Sequence, residues 1–288
     1  MIATIFTLGF LAQMIRIAVP YALASMGGAV TERSGVIDLA IESKLLFGAF
    51  TAAVVSHATG SALAGLAGGM AAGMIVAALQ IACALGFGAD QVIVGVGLNL
   101  LALGGTRFLL QLLFGESANS PPAAAFGSSV ITNPIVWLAL VAVFGVPFAL
   151  RRLRWGVRLR AAGDRPDALV AVGISPVRAR LAAALVGGAL SGAGGAQLSL
   201  SVGGFSAEMS AGRGYIALAM VILSGWRPAG AAVASIGFAF ALALSILFQL
   251  SAADIPHELT SLLPYVLTLV VLIVAGARRP PPRSLGRE

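Results

Sequence analysis

The stretch RRLRWGVRLRAAGDRPDALVAVGISPVRAR, residues 151–180, decides how this chain is organised. It holds eight of the chain's eighteen Lys and Arg residues, and apolar segments long enough to span a bilayer flank it on both sides. Arginine at that density is costly in hydrocarbon, and Lys and Arg accumulate in short loops on the cytoplasmic side of a membrane. The stretch therefore reads as a cytoplasmic loop. Its inner part is built like a small docking element. Asp164 is placed to cap a short helix, Pro166 sits in its first turn, Asp167 puts an acid near the positive end, and Gly173 offers a stop. A structured basic loop of this kind suits presentation to a partner; the plainer reading is a loop that fixes orientation and touches anionic lipid headgroups.

Composition settles the class. Apolar residues make up 59% of 288 and charged residues only 10%, against about a quarter charged in a soluble domain; mean hydropathy is +0.98. The net charge of +7 does not point to nucleic acid, because twelve of the eighteen basic residues fall in the central loop or in the tail at Arg278, Arg279, Arg283 and Arg287. No basic stripe is interleaved with aromatics. The single Cys83 lies in an apolar run, as helix packing, and excludes a disulfide within the chain. His57 and His257 stand too far apart in sequence to suggest a metal site, and no cofactor is expected. The N-terminus lacks the basic start and small-residue cleavage site of a secretory signal, so the first helix is expected to stay.

Segments of about twenty apolar residues fall near 6–29, 36–56, 62–85, 91–114, 132–150, 179–201, 209–224, 229–251 and 259–277. The expected fold is an all-α polytopic membrane bundle of about nine spans, forming one domain over 1–288, with a central loop 151–178 and a basic tail 278–288. Placing loop and tail together in the cytoplasm requires an even number of crossings between them, which the last four segments supply. By the same count 57–61, GESANSPPAAAFGSSVI at 115–131, 252–258 and the N-terminus lie outside. GLAGGMAAGMIVAAL at 65–79 and LVGGALSGAGGAQLSL at 185–200 predict closely approaching backbones, since packing rather than water exclusion drives helix association in lipid.

Polar residues inside these spans are the informative minority. TERSGVIDLAIESK at 31–44 puts Asp38 and Glu42 four apart, on one face if the segment is helical. Such acids line a cavity, or mark the wet end of a helix neutralised by Arg33 and Lys44. SAEMSAGRGYIALAMVILSGW at 206–226 places Glu208 and Arg213 at the start of a short span, with Gly212 and Gly214 flanking the arginine, which suggests a broken helix beside a translocation path. Gly35–Ala40 and Gly214–Ala219 both read G-x-I-x-L-A, each just after an arginine and in opposite directions through the membrane, as an inverted repeat requires. Asn99, in GLNLLALG at 97–104, serves either a solute or a helix–helix hydrogen bond, and the second is the commoner use. Gln197 and Phe205 are further path candidates, and Arg107 is expected to snorkel to the surface.

Four blocks carry a resemblance: ERSGVIDLAIESKLLFGAF at 32–50, ADQVIVGVGLNLLALG at 89–104, LRAAGDRPDALVAVGI at 159–174 and SAGRGYIALAMVILSGWRPAGA at 210–231. In order and spacing they resemble the inner-membrane permease of a bacterial ABC importer of the ribose/branched-chain amino acid type, nearest to the second permease of nucleoside or simple-sugar importers. Where that family usually has Gly after the glutamate of the first block, this chain has Ser43-Lys44. The resemblance implies a multi-pass plasma-membrane subunit with a cytoplasmic C-terminus, partnered by an ATPase, a second related permease and a periplasmic or lipoprotein substrate-binding protein. It implies that Asp164–Gly173 is a coupling helix seated in a cleft of the ATPase, filled by Leu169, Val170 and Val172. The chain has no G-x-x-x-x-G-K-[ST], so ATP hydrolysis is expected on a separate polypeptide.

Two other classes compete. An ion-coupled secondary transporter would use Asp38 and Glu42 as carriers and needs no docking loop. An intramembrane enzyme would need a nucleophile–base pair, and neither histidine has a serine or cysteine motif near it.

Overall fold

The computed structural model describes residues 7–127, 129–251, 266 and 280–286. Among these residues ten α-helices follow in chain order: α1 Leu8–Arg33, α2 Ile41–Thr59, α3 Ala62–Ile81, α4 Gln91–Phe114, α5 Pro134–Arg152, α6 Arg154–Asp164, α7 Pro166–Ala171, α8 Pro176–Val202, α9 Arg213–Leu223 and α10 Pro228–Ser251. The described residues contain no strand, only one isolated antiparallel bridge between Asn119 and Ser206. Helix boundaries follow local chemistry. Asp90 accepts from the Val92 and Ile93 amides at the start of α4, and Asn133 and Ser175 cap α5 and α8, each followed by Pro at the first helical position. Gly60, Gly115 and Gly203 end α2, α4 and α8 in the left-handed conformation.

Six described helices are long and apolar enough to cross a membrane: α1, α3 with its terminal π-turn, α4, α5, α8 and α10. The expected segments at 62–85, 91–114, 132–150, 179–201 and 229–251 match these helices closely. The one expected at 36–56 begins late, because residues 34–40 are not helical. Helix α2 then carries Glu42, Lys44 and His57 and is not among the six. The one expected at 209–224 shrinks to the eleven residues of α9, about half the ~30 Å hydrocarbon thickness at 1.5 Å per residue. The last, 259–277, lies outside the described residues.

Helix α8 is the hub, packed against α1, α2 and α3, and it is the most buried of the candidate spans. Its small residues are the reason. A methyl group at Gly192 would overlap the Gly69 carbonyl oxygen of α3, and one at Gly195 would overlap the Leu45 carbonyl of α2. A methyl at Gly27 of α1 would come within 2.7 Å of the Ser191 hydroxyl. Four helices thus meet backbone to backbone, where dispersion and Cα–H contacts act at short range.

Residues 280–286 return to the bundle at one end. The Ser284 amide donates to the Gly163 carbonyl at the end of α6 at 2.8 Å, and the Gly286 amide to the Gly35 carbonyl at 3.2 Å. The end of α1, the end of α6, the start of α8 and the tail segment therefore share one side of the molecule. At the opposite end, residues 118–124 pair with 203–207 through Ser120 to Phe205, Ala123 to Gly203 and Ala207 to Ala118 backbone bonds of 2.7–2.8 Å. The Ser56 hydroxyl fixes the same loop at the Ala124 carbonyl, 2.7 Å away.

Candidate functional site

Residues 34–40 form a break between α1 and α2 that is buried almost throughout. A backbone without helical bonds needs other partners in apolar surroundings. Amide side chains from α3 and α4 supply them. Gln91 Oε1 accepts from the Ile37 amide at 2.8 Å, and Gln80 Nε2 donates to the Ile37 carbonyl at 2.9 Å. Asn99 Nδ2 donates to the Leu39 carbonyl at 2.9 Å and to the Tyr215 hydroxyl at 3.0 Å, while its Oδ1 accepts from the Ser43 amide at 3.0 Å. Asn99 thus holds the break open and links α4 to α2 and α9.

Asp38 lies in this break, not on the first turn of α2, so the four-residue spacing does not put Asp38 and Glu42 on a common helix face. The two acids have separate partners. Lys44 Nζ donates to Asp38 Oδ1 at 2.5 Å with both side chains fully buried, and Asp38 Oδ2 has no partner among the described residues. Glu42 reaches the start of α9. Its Oε1 accepts from the Ser210 hydroxyl at 2.6 Å and the Gly212 amide at 2.8 Å, and its Oε2 from the Gly214 amide at 2.6 Å. A carboxylate in the first turn of α2 therefore also satisfies free N–H groups at the N-terminus of α9, where a helix dipole favours negative charge. The close crossing needs glycine: a Cβ on Gly214 would meet Glu42 Oε2 at 2.8 Å.

The two G-x-I-x-L-A segments adopt different conformations. Gly35–Ala40 is turn and extended chain, whereas Gly214–Ala219 is helix. What corresponds is the broken backbone ahead of α2 and of α9. Left-handed Ala211 precedes α9 and left-handed Trp226 follows it, conformations that non-glycine residues adopt at a cost of about 1–3 kcal/mol. The Trp226 indole N–H donates to Glu32 Oε2 at 2.6 Å, and Glu32 Oε1 accepts from the Asp38 amide at 3.3 Å.

Of the remaining path candidates, Phe205 is buried edge-on against Phe50 with ring centroids 5.4 Å apart. Gln197 and Arg213 line two adjoining cavities of about 330 and 410 Å3, sizes at which ligand pockets begin. Both cavities share Arg16, Pro20, Leu198 and Ser201. Gln197 Oε1 accepts from Asn133 Nδ2 at 3.1 Å, and both residues line the first cavity. Arg213 Nη1 donates to the Met209 and Ser210 carbonyls at 2.7 and 3.2 Å. Pro20 has no N–H for the Arg16 carbonyl, so α1 loses a helical bond beside this space. Among the described residues, no carboxylate lines either cavity. Arg107, expected to snorkel to the surface, pairs with Glu208 at 2.5 Å, both about half exposed.

The basic segment expected to dock forms two helices meeting at Asp164–Pro166. Asp164 ends α6 instead of capping α7; Arg165 holds the cap position without a side-chain bond, and Pro166 begins α7 as expected. Gly173 has φ +74 and its amide bonds the Val170 carbonyl at 2.9 Å, closing the turn. Leu169 is buried within the chain, whereas Val170 and Val172 are 63% and 68% exposed. Among the described residues no cluster of His, Cys, Asp or Glu is arranged to hold a metal ion.

Sequence reasoning singled out the charged residues and Asn99 but passed over Gln80, Gln91, Asn133, Tyr215 and Trp226. The signal for the two glutamines was available: lone amides in apolar spans are costly unless backbone groups need them. Arg16 offered the same kind of signal, a lone cation inside an apolar segment.

The sequence pattern of the branched-chain amino acid transport system permease component matches residues 10–272. The chain is 31% identical to the guanosine ABC transporter permease protein NupQ of Bacillus subtilis, over 93% of this chain and 92% of that protein. It is 32% identical to the putative glucose ABC transporter permease protein TsgC13 of Haloferax volcanii, over 95% and 93%. The nucleoside ABC transporter permease protein NupC of Lactococcus lactis is 28% identical over 96% and 94%. No solved structure matches. A helical bundle with six membrane-length helices, a basic two-helix element on one side and this near-complete match together place the chain in the branched-chain amino acid transport system permease family, as the membrane component of an ABC transporter whose ATPase is a separate subunit.

Proposed function

We propose that this chain is one permease subunit of an ATP-driven importer for a nucleoside or simple sugar. The exposed valines of α7 carry the reading. Val170 and Val172 stand out from a basic element whose Leu169 is anchored inside the chain, a shape suited to entering a cleft on an ATPase. Arg151, Arg152, Arg154 and Arg158 are exposed around it and would steer docking. Asp164, Pro166 and Gly173 fix the geometry of the turn. The contact of the tail with Gly163 supports a common cytoplasmic side for loop and C-terminus, and so an even number of crossings between them. Nine crossings in one domain follow if α2 and α9, each entered through a broken segment, count with the six long helices and a last crossing over 259–277. The paired breaks ahead of α2 and α9 support an inverted repeat in a bacterial inner-membrane protein.

The solute path runs along the cavities shared by α1 and α8. These lie at the end away from the docking element, which is the outer side in this orientation, where a binding protein would deliver its load. Gln197, Arg213 and Arg16 offer hydrogen-bond donors to a neutral, acceptor-rich solute. Asp38, Glu42 and Asn99 form the scaffold behind the path, and Phe205 closes its outer edge. Glu42 is bound by three donors and Asp38 is paired with Lys44, which weighs against the ion-coupled alternative. Permeases of this kind work in pairs, and a related second permease is the proposed partner. The relatives named for guanosine, nucleoside and glucose transport set the substrate class.

The test is recovery of the tagged chain in mild detergent, with its companions identified by mass spectrometry. An ATPase, a second multi-span protein and a binding lipoprotein are expected for the wild type, and V170D/V172D should lose the ATPase alone. A chain that transports without an ATPase would refute the proposal.

A further inference from the structure

The tail is more than an orientation signal. Ser284 is 6% exposed, and Pro282 is buried beside it. The Ser284 hydroxyl shares its proton between the Gly163 and Ala162 carbonyls at 2.7 and 3.0 Å and accepts from Arg180 Nη2 at 3.4 Å. Its amide takes a second bond to the Gly163 carbonyl, 2.8 Å away. Two residues later the Gly286 amide bonds the Gly35 carbonyl at 3.2 Å. The fit is tight from both sides. Gly35 has φ +96, and a Cβ there would meet Ser284 Oγ at 2.7 Å; a Cβ on Gly163 would overlap the Arg33 carbonyl. Three segments distant in sequence therefore meet at one junction: the end of α6, the turn leaving α1, and the tail. Beyond Gly35 the next residues are those held by Gln80, Gln91 and Asn99 in the broken segment before α2.

We propose that residues 280–286 form a strut of the coupling machinery, with Ser284 as its positioning residue. The inference rests on the assignment of α6–α7 as the element that meets the ATPase. Displacement of α6 is then delivered through the Gly163–Ser284–Gly35 junction to residues 34–40 and on to the start of α2, where Glu42 grips α9. Without the strut, only the backbone packing of Gly163 against Arg33 and Gly35 links α6 to that turn, and the hydrogen-bonded part of the junction is lost.

The experiment uses the complete transporter in proteoliposomes, with solute moved per ATP hydrolysed as the readout. The variants are S284A, deletion of 280–288, and R283A, whose side chain is exposed. Expected are normal ATPase binding and basal hydrolysis in all three. Solute per ATP should fall about ten-fold in S284A and further in the deletion, a change within reach of one or two lost buried hydrogen bonds, with R283A at the wild-type value. Full coupling in S284A and the deletion would overturn the strut. Loss of uptake in S284A in step with lost thermal stability or lost ATPase binding would also overturn it, leaving a purely structural clasp. Failure of the wild-type chain to bind an ATPase would instead strike the docking assignment on which the strut depends.

Discussion

Replacing Glu42 by Gln probes the crossing of α2 and α9 with almost no change of shape. The carbonyl oxygen of the amide can take the place of Oε1 and keep the Ser210 and Gly212 donors. The amide NH2 then faces the Gly214 N–H, whose present bond to Oε2 is 2.6 Å. A buried donor left without an acceptor costs about 1–3 kcal/mol, and converting two charge-assisted bonds to neutral ones costs roughly 1 kcal/mol each. The sum is about 3–5 kcal/mol, since Glu42 is 5% exposed and water gives little relief. At about 2–4 °C per kcal/mol for chains of this order of size, Tm should fall by roughly 10 °C. Tryptophan fluorescence during thermal unfolding in detergent measures it, and Trp226, next to α9, reports on the region. The control is Glu208→Gln, whose partner Arg107 is about half exposed; such surface pairs contribute about 0–1 kcal/mol. If Glu42→Gln shifted Tm no more than Glu208→Gln, the carboxylate would not be the clamp between the two helices.

Other outcomes follow from the same contacts. Lys44→Met alone leaves Asp38 buried and unpaired and should cost about 3–5 kcal/mol, while K44M with D38N should recover most of that loss in a double-mutant cycle read by thermal unfolding. Gly192→Val forces Cγ atoms into the Gly69 backbone and should prevent folding, seen as loss of a monodisperse detergent peak; Gly97→Ala, with open space around it, should be silent. Gln197→Ala with Arg16→Ala should raise the solute concentration for half-maximal uptake while leaving ATPase binding intact, measured with labelled guanosine and glucose as probe solutes. Leu169→Asp places a charge inside the chain and should reduce folded protein, unlike Val170→Asp, which should leave folding intact and abolish uptake.

Much of this was legible in the chain. Long apolar helices announced themselves by composition, and the Gly and Ala runs at 65–79 and 185–200 correctly pointed to backbone contact at the hub. The basic two-helix element was visible because arginine, proline and glycine each have a positional meaning that survives without tertiary context. The broken segments were harder. Hydropathy averages over a window, so GVIDLAIESK reads as the start of a span, and only the amides of Gln80, Gln91 and Asn99, brought from other helices, stabilise a non-helical chain there. The partners of Glu42 lie at Ser210–Gly214, a long-range pairing that no local spacing encodes. Leu169, Val170 and Val172 read as one apolar cleft-filling set, yet the fold divides them, turning the leucine inward and the valines out.

The central claim is that ATP, through α6–α7, powers movement of the solute. The most direct measurement is uptake of a labelled nucleoside or sugar by proteoliposomes holding the complete complex, with nucleotide supplied only to the ATPase side. Uptake should require hydrolysable ATP, persist when a protonophore collapses the ion gradient, and vanish in V170D/V172D. Uptake that ignored ATP and followed the gradient would contradict the account.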